Sequence, residues 1–195
     1  MRALQEAADE FRLDRTQGQK FALYIGVEKN ALVALLESWF EDRSLPVLPL
    51  GGYASEGFES VVRDDEIDDG RPAVLIYAGD FDPSGEDISR DFIRQTDCWA
   101  HVHRIALTRT QVTTYDLPIN PGKATDSRAA GFIARHGELM QVELDALPPD
   151  TLRTLYEDAI NQYWDTSTYE AVLAHEEDER AYLARVAARN RRGRA

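Results

Sequence analysis

Ala73-Val74-Leu75-Ile76-Tyr77-Ala78-Gly79-Asp80-Phe81-Asp82-Pro83-Ser84-Gly85-Glu86-Asp87 is the stretch that decides the fold. Its apolar first half reads as a buried strand over residues 73–79. Asp80 and Asp82 stand one residue apart at the end of that strand, so a period of two points them to the same side. They meet water at the strand's carboxyl end, where open α/β sheets place their ligands. Pro83 suits the first turn of a helix, predicted over 84–96, and Gly85 permits a close approach of backbone to a ligand. The bland reading of the pair is two solvated strand-end acids. Two carboxylates this close repel each other, however, unless something positive lies between them. A hard divalent cation meets that need, because Mg²⁺ takes one or two carboxylates, keeps several waters and leaves positions for phosphate oxygens.

A second strand–acid–helix pattern lies upstream. Phe21-Ala22-Leu23-Tyr24-Ile25-Gly26-Val27-Glu28-Lys29-Asn30-Ala31-Leu32 places Glu28 at the carboxyl end of a strand over 21–27, ahead of an amphipathic helix over 29–41. If the two strands are parallel neighbours, Glu28, Asp80 and Asp82 converge. Between them, 45–50 reads as a short, proline-bounded strand, Gly51-Gly52-Tyr53-Ala54-Ser55 as a turn and 56–67 as a helix with an acidic face. Val102–Leu107 reads as a fourth strand. The alternation predicts an α/β fold with a mainly parallel sheet of four or five strands, helices on both faces and helical extensions at both termini. Leu139–Leu144 is the candidate fifth strand. Helices are expected over 1–17, 126–135, from Pro148 to Trp164, and over 167–189. The organisation expected is an N-terminal helix (1–19), a central domain (20–165) and a C-terminal helix with an arginine-rich tip (166–195).

Gly26-x-Glu28 followed by Asp80-x-Asp82-x-x-Gly85 resembles the toprim domain shared by topoisomerases, bacterial primases and several nucleases. Three segments are most similar to the toprim half of the topoisomerase VI A subunit and its meiotic double-strand-break relative. Asp80-Phe81-Asp82-Pro83-Ser84-Gly85 resembles that group's D-x-D-P-x-G. Gly51-Gly52-Tyr53-Ala54-Ser55 occupies the place of its G-K-G-Y-P-like turn, with Gly52 where the lysine would stand. Glu143-Leu144-Asp145-Ala146-Leu147-Pro148 resembles its late E-L-x-A-L segment. The resemblance spans residues 20–163, and no winged-helix domain bearing a nucleophilic tyrosine is expected before it. It implies that Glu28 acts as general acid/base and that Asp80 and Asp82 hold Mg²⁺ or Mn²⁺, with Glu28 also within reach of the metal. Glu28, Asp80 and Asp82 are therefore the candidate catalytic and metal residues.

Lys29, Lys123 and Arg128 are candidate phosphate contacts, since Lys and Arg suit that role. Asp126 reads equally as a helix cap. Glu86 and Asp87 read as favourable charge at a helix N-terminus or as metal contacts. Glu143 reads as a structural acid or as part of the late family motif. His101 and His103 alternate on one strand face with no third ligand near them in sequence. His175-Glu176-Glu177-Asp178-Glu179 lacks the second histidine of H-E-x-x-H and reads as a solvated helix face.

Composition narrows the function. The 195 residues are 43% hydrophobic, ordinary for a globular protein, and no apolar run reaches the length of a membrane span. Cys98 is the only cysteine, so no internal disulfide is expected and a cytoplasmic setting fits. The net charge of −13 argues against a generic nucleic-acid binder, although the charge is segregated. Residues 56–69 hold seven acids against one arginine, whereas six arginines and no acid follow Glu179. The expected function is Mg²⁺-dependent phosphodiester chemistry on nucleic acid, DNA before RNA, most simply nuclease-like cleavage by activated water. The alternatives are a non-catalytic toprim subunit or regulator of a DNA-processing complex, and phosphoryl transfer on a small nucleotide. A protein partner or a homodimer is compatible with all three.

Overall fold

The computed structural model describes residues 8–51, 70–122 and 125–192. The chain divides into two units: residues 20–41 with 45–164, and the two chain ends together with 42–44.

The larger unit is built on four strands: β1 (Ala22–Val27), β2 (Val47–Pro49), β3 (Ala73–Ala78) and β4 (Trp99–Ala106). All pair in parallel, in the order β2-β1-β3-β4. Every residue of β1 and β3 is buried, which is why these strands read as continuous apolar runs rather than alternating ones. One face carries Ala22, Tyr24, Ala73, Leu75 and Tyr77 against Phe92 of helix α2 (Pro83–Thr96; α1 is Val33–Phe40). The alternate residues Leu23, Ile25, Val27, Val74 and Ile76 are equally buried, so both faces are covered. The chain leaves β1 towards β2 but leaves β3 towards β4, and right-handed crossovers in opposite directions put α1 and α2 on opposite faces.

After β4 come α3 (Arg109–Thr114), α4 (Ala129–His136) and α5 (Pro149–Ile160), the last packing on β3 and β4. Thr108 caps α3 in a reciprocal box with Gln111. The smaller unit contains α6 (Thr166–Arg192). There Gln19 and Asp165 exchange two hydrogen bonds, Gln19 Nε2 to the Asp165 carbonyl and the Asp165 N–H to Gln19 Oε1, each 2.8 Å.

Three expectations need correction. The fifth strand over 139–144 does not join the sheet; among the described residues the segment makes only isolated antiparallel bridges, Phe81 with Val142 and Asn120 with Gln141. The N-terminal helix does not reach residue 17, since the described part is helical only at 8–10. The run His175–Glu179 is not wholly solvated, because Glu176 is 3% exposed. The turn over 51–55 beyond Gly51, the helix over 56–67 and residues 193–195 of the arginine-rich tip lie outside the described residues.

Candidate functional site

The strand order creates a crevice at one place. Where neighbouring strands send their connections in opposite directions, the chain diverges at their carboxyl ends and leaves room for a ligand. That place is between β1 and β3. Val27 pairs with Ala78, so Glu28 and Gly79 leave the sheet at the same level. The Glu28 N–H donates to the Ala78 carbonyl at 3.1 Å. Glu28 Oε2 in turn accepts the Asp80 N–H at 2.8 Å, so the acid of one strand end is fastened to the backbone of the other.

The sequence makes this approach possible by withholding side chains. A Cβ on Gly79 would fall 2.8 Å from Glu28 Oε2 and onto the Tyr77 hydroxyl. A Cβ on Gly85 would lie 2.6 Å from the Asp80 carbonyl and 2.8 Å from Glu28 Oε2. Between them, Phe81 exchanges backbone hydrogen bonds with Val142 and turns inward against Phe132 and His136. The bridge continues strand-like alternation past the end of β3 and separates Phe81 from its two acidic neighbours. Asp82 caps α2, its Oδ1 accepting the Gly85 N–H at 2.7 Å. Asp80 Oδ1 accepts the Leu144 N–H at 2.7 Å. Among the described residues, the remaining oxygens Glu28 Oε1, Asp80 Oδ2 and Asp82 Oδ2 accept no hydrogen bond.

The charges in this crevice are poorly balanced. Burial first, then the Asp80 and Asp82 charges, push the Glu28 carboxyl up to about 7, against the opposing pull of the Asp80 N–H and Arg104. Burial also raises Asp80, with Asp82 and Glu143 acting in the same direction, although the Leu144 N–H and Lys29 oppose them. Tyr77 is raised by burial and by the Glu28 charge, so its hydroxyl stays protonated. Arg104 reaches in from β4, donates to the Asp80 carbonyl at 2.6 Å and stacks over the Tyr77 ring at 5.4 Å. It fixes the turn that carries Asp80.

The other candidates fall as follows. Lys29 lies between acids: its Nζ is 3.1 Å from Glu143, 3.0 Å from Asp145 and 3.8 Å from Asp80. Burial alone would lower its pKa, but the hydrogen bonds to Asp145 and Glu143 raise it. It is engaged as a tie between β1 and the 143–145 segment. Glu86 pairs with Arg135 at 2.7 Å and His136 at 2.6 Å, and these partners, against burial, hold its carboxyl low. It joins α2 to α4. Arg128 is bound by Asp126, and Lys123 lies outside the described residues. His103 bonds the Tyr163 hydroxyl at 2.5 Å. The sequence reading missed Arg104, Arg135 and His136. Each acts across elements far apart in the chain, and only the two glycines beside the acids hinted at how tightly this turn is packed.

Among the described residues, no three His, Cys, Asp or Glu side chains are gathered into a ready-made metal-binding group. The donor set nevertheless fits a hard cation that needs only one or two carboxylates. Glu28 and Asp80 are brought together, Asp82 is close enough to raise Glu28, and each acid keeps one oxygen uncommitted among the described residues. Among the described residues, no helix is long and apolar enough to cross a membrane. Comparisons with known protein families and with curated proteins find no match to this chain.

Proposed function

We propose that the chain is a toprim-like protein that hydrolyses phosphodiester bonds in nucleic acid, DNA in preference to RNA, at the crevice between β1 and β3. The observation that carries the reading is the Glu28 carboxyl, held at about 7 beside Asp80 and Asp82 at the carboxyl ends of two parallel strands. A general acid/base works best with a pKa near the operating pH. Bound Mg²⁺ or Mn²⁺ would neutralise charge on the phosphate and activate water there. Asp80 and Asp82 would hold the cation through Oδ2, because their Oδ1 atoms are committed to the Leu144 and Gly85 N–H groups. Glu28 would take a proton on Oε1 from the attacking water as the new P–O bond forms. It would then return that proton to the oxygen that departs as the old P–O bond breaks. Glu28 Oε2, fastened to the Asp80 N–H, keeps the carboxyl in place throughout. The single cysteine, Cys98, is in no disulfide, which suits the reducing cytoplasm where this reading places the protein.

The net charge of −13 favours a second reading, a non-catalytic binding module completed by a protein partner or a second copy. A cleavage assay separates the two. Wild type with Mg²⁺ should cut supercoiled DNA, single-stranded DNA or structured RNA. Asp80→Ala should cut none. Wild type that binds nucleic acid with Mg²⁺ yet cleaves no form of it would rule out the hydrolytic reading.

A further inference from the structure

Beside Asp82, the first turn of α2 together with Gly122, Asp126, Arg128 and Gln141 encloses a cleft of about 260 Å³, into which Ser84 also faces. Arg128 is held there in an unusual way. Its Nε and Nη2 donate to the two oxygens of Asp126, at 2.9 and 3.3 Å, and its own N–H bonds Asp126 Oδ1 at 2.9 Å. A pair two residues apart ties no elements together. It differs in this from Arg135 and Glu86, which join α4 to α2. What the Asp126 clamp does is orient the guanidinium. The opposite edge, Nη1 and the second N–H of Nη2, makes no hydrogen bond among the described residues. The next nearest acid oxygen, Asp87 Oδ2, is 3.8 Å from Nη1. The Ser84 hydroxyl and the Gln141 side-chain amide are likewise uncommitted among the described residues. The Gln141 backbone is fixed by two hydrogen bonds to Asn120. A planar guanidinium offering one free edge matches two oxygens of a phosphate.

We propose that this cleft is a subsite for the phosphodiester neighbouring the one that reacts. Arg128 binds its phosphate oxygens, and Ser84 and Gln141 hydrogen-bond the adjoining sugar. The inference rests on the reading of Glu28, Asp80 and Asp82 as a phosphodiester site, which Asp82 joins to the cleft. The volume lies at the small end of ligand pockets, so it admits one sugar–phosphate unit of a single strand. With Asp126 cancelling much of the Arg128 charge, recognition comes from the geometry of the free edge rather than from a broad positive field.

The test is binding of a fluorescein-labelled single-stranded DNA oligonucleotide, and of RNA of the same sequence, to the full-length Glu28→Gln protein in Mg²⁺. Anisotropy is followed over a salt series. Adding Arg128→Ala should raise Kd roughly tenfold or more, the scale of hydrogen bonds to a charged group. It should also lower the salt slope by about one, as for the loss of one phosphate contact. Gln141→Ala should raise Kd by a smaller factor. Both variants should keep the parent's Mg²⁺-induced rise in Tm, which reads the carboxylates and not the cleft. The sugar that Ser84 and Gln141 accept is the one in the oligonucleotide whose affinity falls further. Unchanged Kd and slope on both oligonucleotides would overturn the subsite, even if wild type proves to be a nuclease. Lost affinity in Arg128→Ala, with no cleavage by wild type, would uphold the subsite and reject hydrolysis.

Discussion

Two acids of the same residue type, Glu28 and Glu176, are both withdrawn from water and end with opposite properties. Burial pushes each upward. At Glu28 the neighbours Asp80 and Asp82 push the same way, and one backbone N–H and the more distant Arg104 do not compensate. At Glu176 the partners outweigh burial. Oε2 accepts the Leu13 N–H at 3.0 Å, and Oε1 receives Arg15 at 3.2 Å and Arg180 at 2.5 Å, so the carboxyl is held below its ordinary value. Arg12 adds a third guanidinium at 3.9 Å. One carboxylate therefore has more counter-charge than it needs and the other has less. The first arrangement stabilises a unit. The second leaves charge unbalanced at the mouth of a crevice, the state expected where a cation or a proton completes the site.

The largest expected effect lies at the balanced acid. Glu176→Ala strands the guanidinium groups of Arg15 and Arg180 without their carboxylate and should cost about 3 kcal/mol in urea unfolding, the scale for breaking a buried pair. Glu176→Gln, which can still accept the Leu13 N–H, should cost less. A loss below about 0.5 kcal/mol for the alanine variant would show that Glu176 is not a structural centre.

A smaller loss is expected at the crevice. Gly85→Ala forces a Cβ against the Asp80 carbonyl and Glu28 Oε2. Overpacking of this kind costs about 1–3 kcal/mol. The variant should also lose the Mg²⁺ response described next, because the turn that holds Asp80 must move. An unchanged melting curve and an unchanged metal response would mean that the close approach is not required.

Metal should then sharpen the contrast. At ten times its Kd, Mg²⁺ should stabilise wild type by about 1.4 kcal/mol, the linkage value for one site on the native state. Asp80→Ala/Asp82→Ala should show no such shift, and its metal-free melting point reads the balance between the like-charge repulsion relieved and the Leu144 and Gly85 N–H bonds lost. Equal shifts in both proteins would remove the cation from the crevice.

In the pH dependence of stability the two acids should act in opposite senses. Glu28 is raised to about 7 from an ordinary 4.5. Below 4.5 it is protonated folded and unfolded, so it costs nothing. Between 4.5 and 7 the unfolded chain gives up the proton first, and stability falls as pH rises. Glu28→Gln should flatten that interval. Glu176 is lowered, so its contribution is present above 4.5 and is lost as pH falls through its folded value. Glu176→Gln should flatten the acid limb instead. Unfolding free energies for the three proteins across this range check both signs.

Much of this was legible in the sequence. The parallel sheet followed from two uninterrupted apolar strands, 22–27 and 73–78, each ending in an acid and followed by a helix. Local pattern carries that information because both faces of such strands are buried. The segment 139–144 misled for the converse reason. Met140, Val142 and Leu144 alternate with polar residues as in a half-exposed strand and are buried, but among the described residues the segment pairs only with Phe81 and Asn120. Periodicity reports a buried side, not the identity of the partner. Glu176 was unreadable because its counter-charge at Arg15 lies far off in the chain, and a helix pattern cannot show a distant arginine. Arg104 escaped for the same reason. In the crevice, the three acids were visible from their spacing after the strands. Their imbalance depends on which donors reach them, and that is a property of the folded chain.

The most direct test of the account is the titration of the Glu28 side-chain carboxyl, followed by carbon NMR with and without Mg²⁺. Without metal, the midpoint should lie near 7, and saturating Mg²⁺ should lower it by at least about one pH unit, since a nearby cation favours the ionised form. A midpoint near the ordinary 4.5, unmoved by Mg²⁺, would contradict the claim that this crevice is an unbalanced site awaiting a cation.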